Sequence, residues 1–491
     1  MTRSRISKPA LLCCLSLALA ACTARLGGDG ESSANGPELS PGPTILPGGL
    51  RIDGKPEYFR VVRLTHAQWE NSVRDVLLLD EVPGLSTTFI PDPPDGTFSN
   101  NERALYITDT LSRDYQRGSE TIAEEVAANS EQLARLSAPD DVAGFVAAVG
   151  RRAFRRSLTS DERTKYEALW ASGAGFYESG NAFADGARVF LEALLQSPYF
   201  VYRTEVSPRG GRLSGSELAT KISYLLLDTT PNDALLDAVE AGKLDDDDSV
   251  RSLVSELLET DGARLAIENF HRELFGLDRY RSILKSPTTF PTFSEAIIPT
   301  LLEADLNFFT HVFTRNLGFR EILTSDVAFV NDATASFYGL TSSSSTLTEV
   351  RLDGSRPGFL TRVGFLAYNA NLVEPDPIHR GVDINNRLLC AHLSPPPGVI
   401  PPLPEPIAGQ TNRERVVAHT GEGFCGNCHN EIINPPGFAL ESFDAVGRFR
   451  TEDNGKPIDT TGSLFAGDVT LEFADIGELT QKLAGNSVAH S

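Results

Sequence analysis

The sequence predicts a mainly α protein, several helical bundle modules in a row, ending in a loop-rich helical module. Three observations carry this. Apolar residues recur at three- and four-residue intervals through most of 56–340, helix-start signals punctuate the same stretch, and strand-like alternation is scarce. In order, Leu64, Trp69, Val73, Val76 and Leu77 give helical spacing across Thr65–Asp80. A helix is expected to continue through Ala123–Ala134, and another spans Val142–Phe154. Thr159-Ser160-Asp161-Glu162 and Ser214-Gly215-Ser216-Glu217 read as capping boxes. Thr230-Pro231-Asn232-Asp233 puts Pro231 at a first helical position. Further helices are expected near 182–198, 216–227, 249–259, 262–275, 294–316 and 476–483. The acidic run Asp245–Asp248 reads as a charge cluster at a helix N-terminus rather than a calcium loop, because it lacks alternating ligand spacing and a bend glycine.

The expected organisation is a leader at 1–21, a Gly/Pro/Ser-rich flexible tether at 22–55, N-terminal helical modules at 56–204 and a central helical module at 205–345. A loop-rich helical module at 346–453 and a short C-terminal helical module at 454–491 follow. Arg3, Arg5 and Lys8 precede an apolar run, Leu11–Ala21, that is too short to span a bilayer and suits a signal segment. Leu19-Ala20-Ala21-Cys22 resembles a bacterial lipobox, which implies cleavage before Cys22 and lipidation of its thiol. Thr23 in place of Asp implies the outer membrane; an ordinary signal peptide is the alternative. The chain has 44 basic and 66 acidic residues, net −22, and losing the three leader cations takes this to −25. Such a surface disfavours nucleic acid and anionic lipid and suits a basic redox partner protein, although solubility alone also explains it.

The most specific motif is Cys425-Gly426-Asn427-Cys428-His429. Two thiols three positions apart, followed by histidine, read as an attachment site for haem c, with Cys425 and Cys428 as thioether anchors and His429 as axial ligand to the iron. A structural disulfide, a redox pair or half of a zinc site are the alternatives. Against a redox pair, the upstream sequence is Pro-rich rather than a strand; against zinc, no second close pair exists. Cys13 and Cys14 leave with the leader and Cys22 is lipidated, so Cys390 is the one other cysteine with an unassigned thiol, expected to be buried, with a place near the haem as the alternative.

Met1 is the only methionine, so no thioether is available as a second axial ligand. His379, His392 and His419 are the candidates, with His379 favoured because the Pro-rich turn Glu374–Pro377 presents it; a purely structural His379, water or an open position remain alternatives. Arg448 and Arg450 are candidate partners for haem propionates, with surface ion pairing as the bland alternative. Pro435-Pro436-Gly437 is expected as a rigid turn, and Phe438 and Phe443 as walls at the haem edge. His66, His271 and His311, each isolated, are expected to be hydrogen-bonded or solvated, and Phe308, Phe309, Phe313 and Phe319 to pack in the core. The sequence contains no phosphate loop, nucleophile elbow or His-Glu-x-x-His motif.

From Arg356-Pro357-Gly358-Phe359-Leu360 through His379-Arg380-Gly381, Cys425-x-x-Cys428-His429, Asn434–Glu441, Phe443-Asp444, Gly447 and Arg450, the sequence resembles the cytochrome-c-like module of large exported proteins of planctomycetes and myxobacteria. Arg63-Leu64-Thr65, Arg152–Arg156 and Ser197-Pro198-Tyr199-Phe200 resemble their other modules, all domains of unknown function. The resemblance implies bound haem and brings no substrate. Members of that family continue beyond the helix near 476–483, so the resemblance also implies a shortened last module here, and a haem pocket whose closure is in question. The function expected is electron transfer at the cell envelope. A haem peroxidase or oxygenase acting on an extracellular polymer, or a polysaccharide-binding or structural surface lipoprotein, are the alternatives.

Overall fold

A computed structural model describes residues 44–45, 51–52, 59–93, 97–206, 212–391, 393, 402–466, 469–487 and 489. The leader, Cys22, nearly all of the tether and His392 lie outside the described residues. The chain divides into two compact units, 55–270 and 271–491 with 1–54. Helices dominate both. Among the described residues no helix is long and apolar enough to cross a membrane.

In the 55–270 unit, β1 (Phe59–Arg63) pairs antiparallel with β2 (Tyr202–Val206), Arg63 opposite Tyr202. Between them run α1 (His66–Val76), α2 (Asp109–Ala128), α3 (Ser130–Leu136), α4 (Val142–Phe154), α5 (Ser160–Tyr177) and α6 (Ala182–Leu195). Their apolar stripes close on one core that includes Trp69, Phe145, Phe190, Leu191 and Phe200. The strand pair escaped the sequence reading because five-residue strands carry too little alternation to register. The helix expected through Ala123–Ala134 breaks at Asn129, whose side chain accepts from Glu131 N and Gln132 N and so starts a new helix. After β2 come α7 (Gly215–Leu226), α8 (Asp233–Glu240) and α9 (Asp247–Leu257). Both capping boxes form, Thr159 with Glu162 and Ser214 with Glu217. The acidic run does sit at a helix start: Asp246 caps α9 by accepting from Asp248 N and Ser249 N. Pro231 falls before the helix instead of inside it, because Asn232 is the cap that accepts from Leu235 N.

The second unit follows α10 (Asp261–Leu274), which carries the chain past the division at 270/271, and is built around α11 (Ile298–Thr314), where Phe308 and Phe309 are fully buried. Phe313 and Phe319 are only partly buried. Around α11 come α12 (Phe319–Thr324), the antiparallel pair β3 (Val327–Val330) and β4 (Thr348–Arg351), α13 (Val363–Tyr368) and α14 (Pro377–Leu388). Then follow α15 (Asn412–Thr420), α16 (Gly423–Cys428), a π-helical turn His429–Ile433, α17 (Asn434–Phe438), the hairpin β5 (Gly462–Ala466) and β6 (Val469–Phe473), and α18 (Ile476–Ala484). The segment expected to be simply helical, 454–491, therefore holds a hairpin ahead of its helix: Leu464 and Ala466 point into the core while Phe465 points out. Pro435-Pro436-Gly437 is helix rather than turn, since both prolines fall in the first turn of α17, where no N–H is needed.

One buried side chain ties the second unit together. Arg380 of α14 is fully buried and donates to five carbonyls, Leu366, Asn369, Leu440, Phe443 and Asp444. Two glycines let α14 lie directly on the π-helical turn and α17, which follow the CxxCH motif. A Cβ on Gly381 would fall 1.7 Å from Ile433 O, and one on Gly437 would fall 1.8 Å from Pro377 O.

Candidate functional site

Cys425 and Cys428 lie three apart on α16, so both thiols project from one face. Both are exposed and unbridged. The backbone then passes into the π-helical turn, where Asn434 N–H bonds back to His429 O. In a regular α-helix residues five apart diverge; the wider π turn brings Asn434 beside His429.

His429 Nδ1 stands 2.9 Å from Asn434 Oδ1. Asn434 is buried, and its Nδ2 donates to Thr420 Oγ1 at 2.9 Å. The Thr420 hydroxyl in turn donates to Val416 O at 2.8 Å. With its proton committed to Val416 O, Thr420 Oγ1 accepts from the amide, which orients Asn434 Oδ1 toward the imidazole. His429 therefore carries its proton on Nδ1 and its lone pair on Nε2, the tautomer that ligates a metal through Nε2.

His429 lines a cavity of about 690 Å³, within the usual range for small-molecule sites. One wall is the CxxCH segment and α17, with Pro435 and Phe438. A second is α15, with Arg413 and Val417. The third comes from β5, β6 and α18, with Phe473, Glu478 and Lys482. The Arg413 guanidinium stacks 4.5 Å from the Phe438 ring and donates to Asp459 O and Thr461 O, so it is held rigidly at the cavity edge. The lining mixes apolar side chains (Val417, Pro435, Phe438 and Phe473) with two fixed cations and two carboxylates (Glu472 and Glu478), and Cys425 and Cys428 lie outside it on the adjoining helix. Among the described residues, Cys425, Cys428 and His429 form no cluster of donors placed to hold a metal ion by themselves.

The other sequence-derived candidates lie elsewhere. His379 is exposed, is absent from the cavity lining and holds Asp376 at 2.6 Å through Nδ1; that hydrogen bond raises the imidazole pKa. Arg448 donates to Thr292 Oγ1 and stacks over Phe337. Arg450 pairs with Asp453 and with buried Glu441, which also accepts from Asn412. Phe438 does line the cavity, whereas Phe443 is fully buried under Arg356, 4.9 Å away. His419 is not among the lining residues. Cys390 is exposed, contrary to the expected burial, at a left-handed position just after α14. His66 and His311 are hydrogen-bonded or ion-paired, to Ile90 O and Glu349, as isolated histidines usually are. From sequence no site role was assigned to Asn434, Thr420, Arg413 or Lys482, although Asn434 stands in the motif that carries the family resemblance. Asn434 follows His429 by five residues, a spacing that only the π turn makes meaningful.

Fold and site together define a mainly helical, multi-module protein whose C-terminal module carries the CxxCH segment. Four family matches run along the chain in order: PSD3, a protein of unknown function (DUF1587), at 63–128; PSD5 (DUF1595) at 141–205; PSD4 (DUF1592) at 213–340; and PSCyt3 (DUF1588) at 356–453. The chain belongs to the multi-module proteins assembled from these domains of unknown function, with the module of cytochrome-like family name nearest the C-terminus. The third cavity wall, residues 461–482, lies beyond the PSCyt3 match. No curated protein and no solved structure matches the chain.

Proposed function

We propose that this protein carries one covalent c-type haem and passes electrons at the cell envelope. The observation that carries the reading is the pairing of two exposed thiols on one face of α16 with a histidine whose Nε2 lone pair is fixed by Asn434. Cys425 and Cys428 would hold the macrocycle, His429 the iron, and Arg413 and Lys482 the propionates, in place of Arg448 and Arg450. When bound, the haem supplies a one-electron couple. The family name PSCyt3 supports the same class. The lipobox-like Leu19–Cys22 supports export and anchoring by lipid at the outer membrane. The net charge of −22 supports a basic redox partner.

The test is reduction of the haem-loaded protein by a small basic redox protein, followed by stopped flow at rising ionic strength. The reading requires a reversible one-electron change and a rate that falls steeply with salt. A haem that cycles only with peroxide would instead favour the enzymatic alternative.

A further inference from the structure

A second cavity, of about 470 Å³, lies within the 55–270 unit. Its floor is one face of α4, where Gly144, Ala147 and Ala148 recur at three- and four-residue intervals and leave room that larger side chains would fill. Leu158 adds to this apolar floor, α5 contributes Arg163, and α8 contributes Asp233 and Asp237. These helices come from two of the matched modules, 141–205 and 213–340, so neither module builds the cavity alone.

Most of the charge on the α8 side is committed. Arg151 donates to Asp237 Oδ1 at 2.6 Å and to Glu240 Oε1 at 3.1 Å, and Arg152 donates to Asp233 Oδ2 at 2.7 Å. Two guanidinium groups thus meet three carboxylates, and the cluster keeps one negative charge in excess. Asp237 Oδ2 accepts no hydrogen bond from any described residue. Arg163 is the opposite pole: it is exposed, and its guanidinium makes no hydrogen bond or ion pair with any described residue. An unmatched cation on α5 and an unmatched carboxylate oxygen on α8 therefore line one cavity above an apolar floor.

We infer that this cavity binds an aliphatic α-amino acid, with its carboxylate on Arg163, its ammonium on Asp237 and its side chain against Ala147, Ala148 and Leu158. The guanidinium of Arg163 offers a carboxylate parallel N–H donors, which a point charge would not. A zwitterion satisfies both poles. A simple anion meets the excess negative charge of the α8 cluster, and a simple cation leaves Arg163 unmatched. Arg151 fixes Asp237 before the ligand arrives, which lowers the cost of ordering the site.

Isothermal titration calorimetry on the full chain tests this with L-leucine as the probe. N-acetyl-L-leucine, which lacks the ammonium, and L-leucine methyl ester, which lacks the carboxylate, are the controls. Expected is saturable binding of leucine, with each control weaker by about tenfold or more through loss of one charge-assisted contact. Arg163→Gln is expected to weaken leucine about tenfold and leave the ester unchanged, and Asp237→Asn to weaken leucine similarly and leave N-acetyl-leucine unchanged. Both positions are exposed, and an unchanged far-ultraviolet circular dichroism spectrum in each variant shows that the loss is local. Absence of saturable leucine binding to the wild type overturns the inference. Equal affinity for leucine and both controls, or a leucine affinity that neither substitution alters, also overturns it.

Discussion

His429 Nδ1 and Asn434 Oδ1 stand 2.9 Å apart across a π-helical turn, and this contact holds the ring proton on Nδ1 and leaves the lone pair on Nε2. Asn434→Asp puts a carboxylate where a neutral amide stood and makes the imidazole a stronger donor. The expected result is a lower haem reduction potential with unchanged haem content, read by spectroelectrochemical titration. Asn434→Leu removes the acceptor, and the metal-bound form is expected to lose its single well-defined spectrum. An unchanged potential in both variants would show that the contact does not tune the site.

His379→Ala is expected to leave the haem spectrum and potential unaltered, since the ring lies on the surface against Asp376. Loss of a low-spin signal in that variant would instead restore His379 as an axial ligand.

The close approach of α14 to the π-helical turn and α17 depends on having no side chain at two points. Gly437→Ala or Gly381→Ala drives a methyl into a backbone carbonyl, where no flexible side chain can yield. Each is expected to destabilise the second unit by about 3 kcal/mol or more, through overpacking. Thermal unfolding followed by circular dichroism measures it, and a change below 1 kcal/mol, roughly the level of a tolerated volume-conserving swap, would contradict the packing argument.

Arg380 donates to five carbonyls from a fully buried position, so Arg380→Ala leaves several acceptors unsatisfied at once. A loss of about 3–5 kcal/mol is expected. Arg380→Lys should rescue little, because an ammonium cannot span carbonyls drawn from two chain segments as a guanidinium fork does. Chemical denaturation of the three proteins tests this, and full rescue by lysine would argue against the fork.

Burial raises the Asp305 carboxyl to about 7, although Tyr280 donates to it at 2.7 Å and pulls the other way. The folded state therefore holds a proton that the unfolded chain releases at lower pH. This contribution is complete below the unfolded carboxyl pKa of about 4, and is lost as pH climbs through about 7. Stability is expected to fall by a few kcal/mol across that window, and Asp305→Asn should flatten the slope. Denaturation midpoints from pH 4 to 8 decide it, and parallel slopes in the two proteins would remove Asp305 as the cause.

Helix starts were legible in the sequence wherever a short polar side chain could satisfy a bare N–H, as at Thr159, Ser214 and Asp246, because capping is local chemistry. The β1–β2 pair was not, since its partners are more than 130 residues apart and only tertiary packing selects them. At the site, Cys425, Cys428 and His429 announce themselves by spacing alone. Arg448 and Arg450 drew attention by lying just after the motif, yet the fold turns them toward Thr292, Asp453 and Glu441. Arg413 and Lys482, twelve residues before Cys425 and more than fifty after His429, reach the cavity only because α15 and α18 fold back on it. Proximity in sequence was a poor guide to membership of the site.

The most direct test of the central claim is haem staining on a denaturing gel. The protein should be exported in a host that matures c-type cytochromes and run beside a Cys425→Ala, Cys428→Ala double variant. The account predicts a band that keeps its stain after denaturation in the wild type and no stain in the double variant. A folded wild-type protein without stain, or stain that survives loss of both cysteines, would contradict it.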